Sequence, residues 1–180
     1  METKQSNPLI QYGVMSAVVG ILVYILLYLG GVKFFMSPVA YFAYAIPIIF
    51  AVLACLKQRK NQGGFLEFSK ALKISFGVFV ITSLATSILS YVLMNFIDLE
   101  FSQAMQQASM EMTEKMMKRF GAGQDTIDKA LADAAKTNPF TLSKMALGFA
   151  FSCILWFLIS LIIAVIVKKK NPANEMPQTM

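Results

Sequence analysis

The chain has 180 residues, 57% of them apolar and only 14% charged, with a formal net charge of +6 and no histidine. Soluble domains carry about 25% charged residues, and here the deficit is concentrated: no charge occurs within 5–32, 34–56, 74–97 or 145–167. The apolar parts of these blocks are each about 23 residues long, where crossing the hydrocarbon layer takes ~20 helical residues. A soluble globular protein, a disordered chain and a disulfide-rich secreted module are excluded, and uniform apolarity favours helices over the alternating strands of a barrel.

The expected fold is therefore all-α, an integral membrane bundle of four transmembrane helices with an extracytoplasmic helical hairpin between the third and the fourth. In chain order, residues 1–97 hold the first three spans with a basic cytoplasmic link at 57–73. Residues 98–144 form the amphipathic hairpin, 145–167 the fourth span, and 168–180 a basic cytoplasmic tail.

The first span follows Lys4. Its apolar run exceeds the 7 to 15 residues of a signal peptide and no A-x-A cleavage site follows, so it reads as a retained anchor. Gly13, Ser16, Ala17 and Gly20 form a one-sided small patch where another helix can approach closely. Gly30-Gly31 breaks the span. Ser37-Pro38 reads as the N-cap and first-turn proline of the second span, and Pro47 in its middle predicts a kink that frees the Ala43 carbonyl.

In the link, Lys57, Arg59, Lys60, Lys70 and Lys73 stand against Glu67 alone. Gly63-Gly64 lacks the spacing and the following Lys-Ser/Thr of a phosphate loop. Phe65, Phe68, Leu72 and Phe76 share about one helical face, so 65–73 either lies in the membrane interface or extends the third helix. Within that span Thr82, Thr86 and Ser90 repeat every fourth residue, with Ser83 and Ser87 alongside. Such a polar track lines a solute path or serves packing, its hydroxyls bonding backbone carbonyls or a neighbouring helix. No span holds an ionisable residue, the usual mark of an ion or proton pathway.

In the hairpin, Phe101, Met105, Met112, Met116 and Phe120 step along one face of a first helix. Gly121 to Gly123 ends that helix, Asp125 is the expected N-cap of the next, and Ile127, Ala130, Leu131 and Ala134 supply its apolar face. Two antiparallel helices with facing stripes are the expected arrangement, and Asn138-Pro139 ends the second. Five methionines lie between Met105 and Met117, and thioethers suit Cu(I). Met110 and Met112, however, point about 200° apart on a helix, and the others merge with the phenylalanine stripe. Packing is the reading; no metal and no cofactor is expected. In the fourth span Gly148 and Ser152 have small-xxx-small spacing, and Trp156 near mid-span is expected to fill a groove between helices. Cys55 and Cys153 read as buried thiols.

The basic clusters of the link and of Lys168 to Lys170 both abut span ends, and an even number of spans puts them on one side. By the positive-inside rule that side is the cytoplasm. The hairpin, with six basic and seven acidic residues, then faces outward. The basic excess meets anionic headgroups at the cytoplasmic face of the bilayer, and no nucleic acid is implied.

Several features together resemble a known family: Asn7-Pro8 before Tyr12-Gly13; Gly63-Gly64-Phe65 running to Phe68-Ser69-Lys70-Ala71-Leu72-Lys73; Phe96-Ile97-Asp98 before the outer helix; and a lysine-ended last span. The chain is similar to the bacterial membrane proteins grouped as domain of unknown function family 4199, with Leu99 replacing the family's usual proline after the aspartate. The resemblance implies a four-span inner-membrane protein of Gram-negative bacteria and no particular chemistry.

Without histidine, a buried acid or a paired Ser-Lys in any span, neither a general base nor an activated nucleophile can be assembled there. No enzyme is expected. The favoured function is a structural or accessory membrane protein whose hairpin, through Phe101, Met105, Met112, Met116 and Phe120, binds a protein partner or a second copy. The alternative is a small transporter or channel using Thr82, Thr86 and Ser90 and the Pro47 kink.

Overall fold

The computed structural model describes residues 7–169. Lys4, Lys170 and the remainder of the basic tail lie outside them. Every named element is helical: α1 (Pro8–Leu29), α2 (Gly31–Phe35), a 3-10 segment (Pro38–Tyr44), α3 (Ala45–Asn61), α4 (Phe68–Val92), a π turn (Leu93–Ile97), α5 (Leu99–Arg119), α6 (Gln124–Ala135) and α7 (Leu142–Val167).

The Asn7 side chain caps α1 by accepting from the Leu9 N–H, with Pro8 in the first turn where its missing donor costs nothing. Gly31, at φ +80°, lets the chain leave α1. Pro38 opens the 3-10 segment, and Ser37 turns its hydroxyl back to the Phe34 carbonyl at 2.7 Å instead of capping forward. The expected mid-helix kink is corrected here. The regular α-helix begins only at Ala45, so Pro47 sits in its first turn, where backbone N–H groups have no helical partner anyway. The proline marks a boundary between tight and regular winding, and the two pieces together make one helical stretch, Pro38–Asn61.

The link resolves the alternatives for 65–73. Gly63 and Gly64 take positive φ and close the end of α3, the Gly64 N–H reaching the Arg59 carbonyl at 2.9 Å while Arg59 Nε donates to the Gly64 carbonyl at 3.0 Å. Phe65 to Glu67 are not helical. From Phe68 onward the chain runs as one helix to Val92, so the basic stretch extends α4. Leu66, almost fully buried, exchanges two backbone bonds with Lys169 (2.9 and 2.8 Å), tying the link to the end of α7.

Helix α4 is the hub, packing on α1, α3 and α7, while among the described residues the α1 and α7 backbones do not approach each other closely. Matched levels show that α1 and α4 run parallel: an added Cβ on Gly77 would meet Leu9, one on Gly13 would meet Ile81 at 2.7 Å, and Ser16 bonds Thr82. The small patch of α1 is therefore the seat of α4. The main core lies at the basic end, where Ala51, Ala54, Cys55, Leu66, Ala71, Val78, Phe79 and Ala164 are buried together. A second core at the opposite end joins Leu93, Met94 and Phe101, with Tyr24, Tyr28 and Phe35 packed against it. Cys55 is buried, whereas Cys153 is only half-buried, and both thiols are free.

The outward faces are as apolar as the cores. Ile10, Val14, Val18, Leu22 and Leu26 on α1, and Leu147, Phe151, Leu155, Leu158 and Ile162 on α7, are exposed. Four helical stretches, Pro8–Leu29, Pro38–Asn61, Phe68–Ile97 and Leu142–Val167, are long and apolar enough to cross a membrane. A helix apolar on every side is at home in lipid or in a deep core, and here no second layer of protein covers it.

Candidate functional site

Between the two cores the bundle does not close. A cavity of about 480 Å³ lies among α1, the 3-10 segment, α4 and α7, with α5 at its upper edge. Its floor is aromatic: Trp156 stacks on Phe79 with ring centres 4.4 Å apart. Trp156 thus fills an interhelical groove, as its mid-span position implies. One wall is the hydroxyl face of α4, and Met105, Met112 and Met145 form the upper rim. Among the described residues the backbones of the 3-10 segment and α7 stay apart, and that side of the cavity is bounded by the Tyr44 and Trp156 rings, 6.1 Å apart, with Tyr41 and Tyr44 exposed.

The structure divides the polar track by depth. Thr82 is buried, with its hydroxyl 2.8 Å from Ser16 Oγ and 2.9 Å from the Val78 carbonyl. Having a single proton, it donates to one oxygen and accepts from the Ser16 hydroxyl. Thr86 donates to the carbonyls of Thr82 and Ser83, and Ser83 to that of Phe79. Ser90 accepts from the Tyr24 hydroxyl at 3.0 Å. Ser87, half-exposed on the cavity wall, has no hydrogen-bond partner among the described residues. Thr82, Thr86 and Ser90 all reach the lining, but most of their hydrogen-bonding capacity goes to the helix backbone and to α1.

The stripe of α5 is likewise divided. Its base is anchored: Phe101 is 8% exposed and meets Tyr28 edge-on at 4.8 Å and Phe35 at 5.9 Å, with Met105 half-buried beside it. Its far half is open, Met112, Met116 and Phe120 being 46%, 50% and 84% exposed. Helix α6 runs antiparallel to α5, as the Gln106 side chain shows by donating to the carbonyls of Ala134 and Thr137 near the other end of the pair, both at 3.2 Å. The expected facing stripes are corrected: α6 is tied to the Gln106 face of α5, which is turned about 100° from the exposed Met112–Met116 face, and Ile127 is the buried residue of α6. The cap of α6 is also corrected. Gly123 holds the N-cap position, while Asp125 lies in the first turn, where its charge favours the helix dipole.

Two residues whose roles the sequence did not reveal, Asp98 and Tyr28, fix where α5 starts. Asp98 caps α5 by accepting from the Phe101 N–H at 2.8 Å, and its other oxygen accepts from the Tyr28 hydroxyl at 2.8 Å. The Phe101 N–H first, and then the Tyr28 hydroxyl, hold the Asp98 carboxyl below the usual value. The available signal was the pair Tyr24 and Tyr28, one turn apart at the end of an otherwise apolar helix. Asn95 adds a second tie, donating to the Tyr91 carbonyl and to the Phe140 carbonyl at 2.9 Å beyond α6.

Among the described residues no three His, Cys, Asp or Glu side chains gather as a metal site would need.

Residues 11–169 match the family described as Protein of unknown function (DUF4199). The chain belongs to that family. No curated protein and no solved structure matches this member of the family.

Proposed function

We propose that the protein is a non-enzymatic, multi-pass component of the bacterial inner membrane that presents the α5–α6 hairpin outside the cytoplasm for association with another protein or a second copy. The observation carrying this reading is the open half of the α5 stripe. Met112, Met116 and Phe120 are exposed on a helix whose base is fixed by Phe101, Tyr28 and Asp98, and adaptable thioethers beside an aromatic ring are common at protein contacts. The orientation is supported by Lys57, Arg59 and Lys60 at the end of α3 and Lys168 and Lys169 at the end of α7, cations that suit a cytoplasmic, anionic lipid surface.

Met112→Glu combined with Met116→Glu tests the association. A discrete crosslinked species seen in membranes of the unaltered protein is expected to be lost, and its persistence overturns the reading. Impermeant thiol labelling in a Cys55→Ala, Cys153→Ala background tests orientation. Gln124→Cys is expected to label in intact cells and Gln62→Cys only after permeabilisation; the reverse pattern inverts the topology.

A transporter or channel is the second reading, favoured by Thr82, Thr86 and Ser90 lining one cavity. The core of Ala51, Ala54, Val78, Phe79 and Ala164 closes the basic end beneath it. Solute flux in reconstituted vesicles, abolished by Thr86→Leu, is the result this reading requires.

A further inference from the structure

The exposed side of the cavity, at Tyr41 and Tyr44, belongs to a stretch apolar enough to span a membrane, Pro38–Asn61, and faces another, Leu142–Val167, through the Tyr44–Trp156 ring contact. What enters there comes from the bilayer. We propose that this cleft binds an uncharged acyl ester, an apolar chain lying against the methionines and Trp156 with its ester oxygens on the hydroxyl wall of α4.

Three observations select that chemistry. The cavity of about 480 Å³ falls in the ~300–1,000 Å³ range of small-ligand sites. Among the described residues no charged one lines it, so a phosphate, carboxylate or ammonium drawn inside would be desolvated without a partner. Its polar groups are hydroxyls with defined spare capacity. Among the described residues Ser87 is without a partner, and Ser90, accepting from Tyr24, keeps its own proton to donate. Thr86 and Ser83 have given their protons to carbonyls. The wall thus offers two donors to a ligand that has acceptors, which an ester carbonyl satisfies and a plain hydrocarbon does not. Met105, Met112 and Met145 at the rim adapt to a flexible chain. The ester belongs either to a free glyceride or to a phospholipid whose phosphate stays outside the mouth.

This inference needs a membrane location but not the associating role of α5. Trp156 is the single tryptophan of the chain and lines the cleft, so its fluorescence reports occupancy. The full-length protein in detergent is titrated with a monoacylglycerol brominated in mid-chain, with a phosphatidylglycerol bearing the same chain, and with a brominated hydrocarbon of equal length. Saturable quenching by an ester probe is expected. Saturation by the glyceride identifies a free ester, and saturation by the phospholipid alone identifies a bilayer lipid. Ser87→Phe should abolish it. Ser87→Ala should weaken the ester probe about two- to tenfold, the loss of one hydrogen bond, while leaving the hydrocarbon unchanged, and this contrast holds even if Ser87→Phe fails to fold. Quenching that never saturates, or an ester affinity equal to that of the hydrocarbon and indifferent to Ser87→Ala, overturns the proposal. Met116→Glu, away from the lining, should leave the quenching curve unaltered, so the two readings fail separately.

Discussion

At its basic end the bundle is shut: Ala51, Ala54, Cys55, Ala71 and Ala164 are fully buried, and the paired backbones of Leu66 and Lys169 lace the link to the last helix. One or two turns away the same α4 and α7 line a cavity, although small residues are as plentiful there. Gly148 and Ser152 have the spacing of a helix contact, yet a Cβ on Gly148 would meet nothing, whereas one on Gly13 would meet Ile81 at 2.7 Å. Small residues permit close approach; a partner helix at the same level must also be present. In lipid, where apolar burial supplies no drive between helices, that packing complementarity is most of what holds them together.

The largest effect that breaks this contrast is expected from Phe79→Ala, which removes a fully buried ring stacked on Trp156. A loss on the order of 3 kcal/mol should be visible as a lower unfolding midpoint in detergent. Ala54→Phe overfills a site with no free volume and should cost ~1–3 kcal/mol. Ser16→Ala and Thr82→Val, measured singly and together, should show a coupling of about 0.6 kcal/mol, the average for a hydrogen bond between membrane helices. Gly148→Leu, in the open half, should change stability by less than ~0.5 kcal/mol. If it costs as much as Ala54→Phe, the two halves are equally packed in the membrane and the comparison fails.

The seat of α5 supplies a pH-dependent version of the same test. Because the Asp98 carboxyl is held below its usual value, its contribution is fully present above the ordinary carboxylate pKa, ~3.9. It disappears as pH falls through the lowered value. Tyr28→Phe removes one of the groups holding it down, so the loss of protection in the first turn of α5, followed by amide hydrogen exchange, should move to higher pH.

The spans were legible in the sequence because a charge-free block of helical length has few alternatives. The structure differs mainly by lengthening them, α4 back to Phe68 and α7 back to Leu142, where amphipathic turns continue a helix beyond its charge-free core. The patch on α1 was legible as a contact, but its partner was not: Ser16 and Thr82 are 66 residues apart in the chain, and no local spacing encodes that register. Pro47 misled because removing one N–H kinks a helix interior but is harmless at a helix start, and the sequence alone does not say where regular winding resumes. The α5 stripe was found as a face, while its division into an anchored base and an open end depends on α2 and on where α6 lies. The cleft is lined by residues of several helices far apart in the chain, which makes it a property of the assembled bundle.

Partner binding is proposed for the open half of α5, where Met112, Met116 and Phe120 are exposed, with the sealed end as its anchor. A photoreactive residue installed at Met116, with one at Ile166 on the lipid-exposed face of α7 for comparison, tests this most directly in intact cells. Discrete protein adducts from position 116 and none from position 166 are predicted. The same adducts from both, or none from position 116, would contradict it.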